Sequence, residues 1–256
     1  MTSLHYRPLQ QLQDIPSDGH VILLFDDSLR YHGINDLEGD QLENLVELLR
    51  PALFSGKLGE ICTLPGQAAK LPWQTIICAG LGNLESFDLC KGLQLGGLIG
   101  KHYRKHQISH AYLLPPEKTF HPEQQLAQAC QISKGFWLGC YDFTELKTKN
   151  TKNTTYTLSL YHPDITTWNT AITTSYHEAL GQCFAKDLMH LPPNILYPEA
   201  FCEKISELSD LGLEIDILDE HELEHQRMFA LLAVGQGSSR PPRLAVMHWA
   251  GKNLDT

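Results

Sequence analysis

Apolar positions along this chain alternate between two periods. Val21-Ile22-Leu23-Leu24-Phe25 is an unbroken apolar run, the pattern of a strand buried on both faces. Leu42, Leu45, Val46 and Leu49 recur at i, i+3, i+4 and i+7, which predicts one face of a helix ended by Pro51. Residues 75–79 predict a second strand, closed by Gly80-Leu81-Gly82, and residues 87–106 a long helix. Residues 110–114 predict a third strand, stopped by Pro115-Pro116, and residues 122–138 another helix. This β-α-β-α rhythm predicts an α/β sandwich around a mainly parallel sheet.

Residues 144–155 are polar, with almost nothing to bury, and read as a surface loop. Residues 156–161 alternate like a strand. From about 168 to 189 the chain reads as a helix, with Ile172, Tyr176, Ala179, Leu180 and Phe184 on one face. Leu191-Pro192-Pro193-Asn194 stops it. Pro198 suits the first turn of a further helix carrying Phe201, Ile205 and Leu208. Residues 213–218 read as a strand, Asp219 and Glu222 as an N-cap and its N3 partner, and residues 244–249 as a last strand.

Length and charge narrow the function. The 256 residues suffice for one large or two smaller domains. Lys and Arg total 20 against 30 Asp and Glu, a formal charge of -10. A field of that sign repels phosphate backbones and anionic membranes, so nucleic acid is a poor default partner. The N-terminal residues form no apolar signal core, and no apolar run approaches the roughly 20 residues that span a bilayer. A soluble, cytoplasmic protein is expected. Seven cysteines occur with no Cys-x-x-Cys pair, which reads as reduced thiols used as small apolar residues.

Four segments resemble chemistry. His221-Glu222-Leu223-Glu224-His225 fits H-E-x-x-H, in which two His share a helix face to bind zinc and the Glu activates a water. The cap at Asp219 puts the segment in the first turns of a short helix. Only His248 and Asp255 remain downstream as a third ligand, so a chance match on a solvated helix is the expectation. His102 and His106 also lie four apart, but Lys101, Arg104 and Lys105 surround them and disfavour a cation. Gly80-Leu81-Gly82 could cradle a phosphate, though a tight turn accounts for it. Gly235-Gln236-Gly237-Ser238-Ser239 could approach a ligand or reverse the chain before Arg240-Pro241-Pro242.

Longer blocks are more specific. Residues 186–201, with Asp187-Leu188, the Pro193-Asn194 turn and the Pro198-Glu199 helix start, resemble the signature that opens the catalytic domain of leucyl (cytosol) aminopeptidases. Residues 218–224 and 228–238 are similar to the next block, and residues 241–244 continue it. Upstream, Gly80-Leu81-Gly82 and residues 133–143 resemble the family's N-terminal domain. His190 stands where the family usually has Asn.

The resemblance implies a macrodomain-like N-terminal α/β domain over 1–165, a linking helix over 166–190, and a truncated start of a second α/β domain over 191–256. It implies a hexamer, peptide substrates with a free N-terminus, and two divalent metals, Mn or Zn, that activate a water. The family's ligand-bearing stretches do not occur here. Gly251-Lys252-Asn253-Leu254-Asp255 is only faintly like the first of them, and Lys252 and Asp255 read as a loop. The expectation is therefore no catalytic, metal or cofactor-binding residue in this chain, no bound metal, and inactivity alone. The alternatives are a non-catalytic binding or assembly module that uses the N-terminal domain, including DNA-linked regulation, and a zinc protease through His221 to His225.

Overall fold

The computed structural model describes residues 3–33, 37, 39–116, 122–147 and 154–251. It divides into two units, Met1–Phe184 and Ala185–Thr256. The sheet of the first unit contains β1 (Ser3–Leu9), β2 (His20–Asp26), β3 (Ile61–Pro65), β4 (Thr75–Gly82), β5 (His110–Leu113) and β6 (Thr155–Tyr161). Their order is β1-β6-β5-β2-β4-β3. Every neighbouring pair is parallel except β3–β4, which is antiparallel. The predicted strands form the interior of this sheet. The two edges, β1 and β3, were not predicted, because an edge strand that stays partly wet needs no continuous apolar run. Each also carries a proline, Pro8 and Pro65, which sheets tolerate at edges.

Both faces of the sheet are covered. Ile22 and Leu24 of β2 point to one core, with α2 (Leu89–His106), α3 (Pro122–Cys140) and α4 (Ile165–His190). Val21, Leu23 and Phe25 point to the other, with α1 (Gly39–Leu49). This explains the unbroken run 21–25: a central parallel strand is buried on both sides. Of the predicted loop 144–155, residues 148–153 lie outside the described residues, and Thr155 already belongs to β6.

α2 and α3 meet backbone to backbone. A Cβ built on Gly96 would lie 2.0 Å from the Ile132 carbonyl oxygen, and one on Gly100 2.1 Å from that of Phe136. From the other side, Gly135 and Gly139 approach the carbonyls of Leu93 and Gly97, at 2.1 and 2.3 Å. The glycines recur every four residues, so each helix presents a flat, side-chain-free stripe to its partner. Trp137 of α3 is fully buried, and its Nε1–H donates to the His5 carbonyl of β1 at 3.1 Å. Tyr176 of α4 packs edge-on against it and donates its hydroxyl to the Leu4 carbonyl at 2.6 Å. The two helices thus anchor β1.

The second unit contains α5 (Pro198–Ser206), β7 (Glu214–Leu218), α6 (Glu220–His225), α7 (Phe229–Gly235) and β8 (Leu244–His248). β7 and β8 pair antiparallel, from Glu214↔His248 to Leu218↔Leu244. Neither has a second neighbour among the described residues. Residues 231–234, an apolar run without an assigned element in the sequence pattern, fold within α7. That helix reads Phe-Ala-Leu-Leu-Ala-Val-Gly, yet none of its residues is buried, with Phe229 58% and Val234 86% exposed.

Candidate functional site

Each segment singled out for chemistry has a structural role. α6 is only six residues long and opens on a reciprocal cap. The Asp219 carboxylate accepts the Glu222 backbone N–H at 3.0 Å, and Glu222 Oε2 accepts the Asp219 N–H at 2.8 Å. The bond from the Glu222 N–H holds the Asp219 carboxyl below its ordinary range. The Glu222 carboxylate is thus committed to the helix start rather than to a water. His221 and His225 are exposed, and only Leu223 of this helix is buried.

His102 and His106 do come together, with ring centroids 4.4 Å apart. His102 Nε2 lies 3.2 Å from Thr63 Oγ1. Burial lowers the His102 pKa, and the charges of His106 and Lys105 lower it further. Gly80 and Gly82 lie at the end of β4 itself. A Cβ on Gly80 would fall 2.1 Å from the Lys57 carbonyl oxygen, and one on Gly82 3.1 Å from the Leu58 nitrogen. The space a phosphate would need is filled by the 56–58 backbone. At 235–240 the chain reverses: Ser238 N–H donates to the Gly235 carbonyl, Arg240 N–H to Ser238 Oγ, and the Arg240 guanidinium sits 3.9 Å over the Tyr197 ring. A Cβ on Gly235 would strike Pro242, so this glycine closes a turn.

Lys252 and Asp255 lie outside the described residues. Among those described, no group of three or more His, Cys, Asp or Glu side chains is placed to hold a metal. The described residues therefore do not fit a two-metal centre.

The sequence reading passed over one buried ionic group. Asp26, 1% exposed, ends β2. Its Oδ1 accepts the backbone N–H groups of Ser28 and Arg30, both at 2.9 Å. Its Oδ2 accepts Arg30 Nε–H at 3.0 Å and lies 3.0 Å from His32 Nε2. Burial acts to raise its pKa, but these donors together outweigh it, and the carboxyl titrates below its ordinary value. A depressed folded pKa stabilises the fold above the unfolded value of about 3.9 and loses that contribution as pH falls through the folded value. Asp26→Asn should therefore cost about 2 kcal/mol at pH 7. The gap from the native chain should close under acid, as read by urea titrations from pH 7 down to pH 3. A pH-independent gap would show that the carboxylate's charge is not what matters. The available signal was Asp26-Asp27-Ser28 directly after an apolar strand, the composition of a side-chain-bonded turn.

Residues 23–150 match the profile of the cytosol aminopeptidase family, N-terminal domain, and residues 183–256 that of its catalytic domain. The chain belongs to the cytosol aminopeptidase family. It is 36% identical over 184 residues to a probable cytosol aminopeptidase of Agrobacterium fabrum, covering 69% of this chain and 36% of that protein. It is 30% identical over 244 residues to one of Rhodopseudomonas palustris, covering 92% and 47%. It thus spans less than half the length of each. A mutant tomato leucine aminopeptidase has the same fold over 96% of this chain and 50% of its own, with TM-score 0.73 and 20% identity. The bottromycin maturation enzyme BotP, solved in complex with Mn, aligns over 90% and 45%, with TM-score 0.69 and 20% identity.

Within this family frame, the 186–201 signature is the end of α4, a turn and the start of α5. The turn is closed by the Ile195 and Leu196 N–H groups on the Pro192 carbonyl, both at 2.9 Å. Pro198 occupies the first turn of α5, where its missing N–H costs nothing. No helix among the described residues is long and apolar enough to cross a membrane.

Proposed function

We propose that this chain supplies the N-terminal domain and the opening elements of the catalytic domain of a metal-dependent cytosol aminopeptidase, a hydrolase that removes the first residue from peptides with a free N-terminus. In this reading residues 1–165 form the N-terminal domain, 166–190 the link and 191–256 the catalytic start. The chain works in the cytoplasm and assembles with its own copies as a hexamer, with no nucleic-acid partner. Two divalent metals, Mn or Zn, serve the reaction, and none of their ligands belongs to this chain, which is inactive alone. The observation that carries this reading is the joint match to both domains of the family in a chain whose described residues offer no three-ligand cluster.

The test is hydrolysis of leucine p-nitroanilide by the purified chain with added Mn or Zn. The expected result is no turnover above the protein-free control. Metal-dependent turnover that co-purifies with the chain would overturn the inactivity. His221→Ala would then be the first variant, since its loss of turnover would restore the zinc-protease reading. One observation favours a second reading, an assembly module: α7 and β8 expose Phe229, Leu231, Val234, Val246 and Met247 in a unit with few buried side chains. Large apolar side chains left exposed on two elements of one small unit are candidates for cover by another protein surface.

A further inference from the structure

Seven cysteines are distributed over the chain, and two of them face each other. Cys62 of β3 is the register partner of Cys78 of β4. Residues directly opposite in an antiparallel pair project to the same side of the sheet, here toward the core on the α1 face. The flanking bonds set the type of pairing. Gly80 N–H donates to the Glu60 carbonyl at 2.9 Å, and Gly66 N–H to the Gln74 carbonyl at 3.0 Å. Stepping by two along both strands puts Cys62 and Cys78 at a hydrogen-bonded position. There the Cα atoms are ~5.5 Å apart, inside the ~4.4–6.8 Å window of a disulfide. The Cβ atoms, at ~4.5–5.5 Å, must close by about 1 Å to reach bonding range. A bond made under such strain is more oxidising than a structural disulfide and is readily reversed.

Access is unequal. β3 is an edge of the six-stranded sheet, so it can shift toward β4 without breaking a second ladder. Cys62 is partly exposed and Cys78 fully buried. A small oxidant can therefore reach the first sulfur but not the second.

We propose that Cys62 and Cys78 form a reversible disulfide by exchange with a low-molecular-weight disulfide such as oxidised glutathione. The Cys62 thiolate attacks one glutathione sulfur and expels one glutathione thiolate. The Cys78 thiolate then attacks the Cys62 sulfur of the mixed disulfide and expels the second. Two protein thiols are oxidised, and one glutathione disulfide is reduced to two glutathiones. The product clamps the edge strand to its neighbour. Burial raises both thiol pKa values, and Cys78 is raised further by the neighbouring Cys62, so the exchange should quicken as pH rises.

The test uses the full chain carrying Cys90→Ser, because Cys90 is exposed and would take up glutathione by itself. After incubation with oxidised glutathione, the acid-quenched chain is digested without reductant and mapped by mass. With Cys90 removed, the seven thiols become six, and oxidation should leave four. One linked peptide should join residues 62 and 78, lighter by two hydrogens, and dithiothreitol should restore all six. Cys78→Ala should trap glutathione on Cys62; should that variant fail to fold, the map of the parent decides alone. Six persisting thiols, glutathione remaining on Cys62 beside an intact Cys78, or a bond joining any other pair, such as Cys140 and Cys183, would overturn the proposal.

Discussion

Gly96→Ala should destabilise the first unit by about 3 kcal/mol or more, although alanine is the better helix former. The intrinsic helix preference favours the substitution by about 1 kcal/mol. The added methyl, however, would sit 2.0 Å from the Ile132 carbonyl oxygen and close to the Phe136 nitrogen. Those atoms belong to a helix backbone, so the overlap is relieved only by moving α3 away from α2. Separation would loosen the contacts of Leu95, Ile99, Ile132 and Phe136, all buried in one core. Gly92→Ala is the control on the same stripe. Its Cβ would meet Gln128 Oε1 at 2.4 Å, the far end of a flexible side chain that can turn aside. That variant should stay within about 1 kcal/mol of the native chain. Urea titration followed by far-UV circular dichroism separates the two. Equal stability of Gly96→Ala and Gly92→Ala would show that the helices do not cross this closely.

Trp137→Ala should cost about 3–5 kcal/mol, the range for removing a large aromatic from a packed core. The indole is fully buried between Tyr6 and Tyr176, and its N–H satisfies the His5 carbonyl. The alanine variant loses the packing and leaves that carbonyl without its donor. Trp137→Phe keeps most of the buried area but loses the bond and part of the ring volume, so about 2 kcal/mol should separate it from the native chain. The same urea titration tests both, with hydrogen exchange of the β1 amides as a local readout. If neither variant changes β1 protection, the anchoring role assigned to α3 is wrong.

Much of the fold was legible in the linear pattern, for physical reasons that differ by element. β2, β4, β5 and β6 lie inside the sheet, so their side chains are apolar and advertise themselves as runs. α1 and α2 touch the sheet with one face each and show the helical period. The edges β1 and β3 were illegible because half their surface stays wet, and polar residues and a proline are tolerated there. The glycines at 92, 96, 100, 135 and 139 could be counted in the sequence. That they form the contact between two helices depends on which helices are neighbours, and no local window contains that information.

The candidate chemistry divides in the same way. His221 to His225 has the right residues at the right spacing, and local sequence already held the reason against it, the Asp219–Glu222 cap. The Gly80-Leu81-Gly82 segment could not be judged locally: it is the end of β4 rather than a turn, and the backbone that fills its space comes from residues 56–58. Asp26 and its donors lie within seven residues of one another, yet only the tertiary burial of the β2 terminus takes the Asp26 carboxylate out of solvent, while Arg30 stays exposed.

By itself the amino-acid sequence determined the α/β class and the family, because each depends on residues close together in the chain. Only the tertiary structure decided the strand order, the backbone contact of α2 with α3, and the opposition of Cys62 to Cys78. These depend on the register between segments far apart in sequence, which packing of the whole core selects.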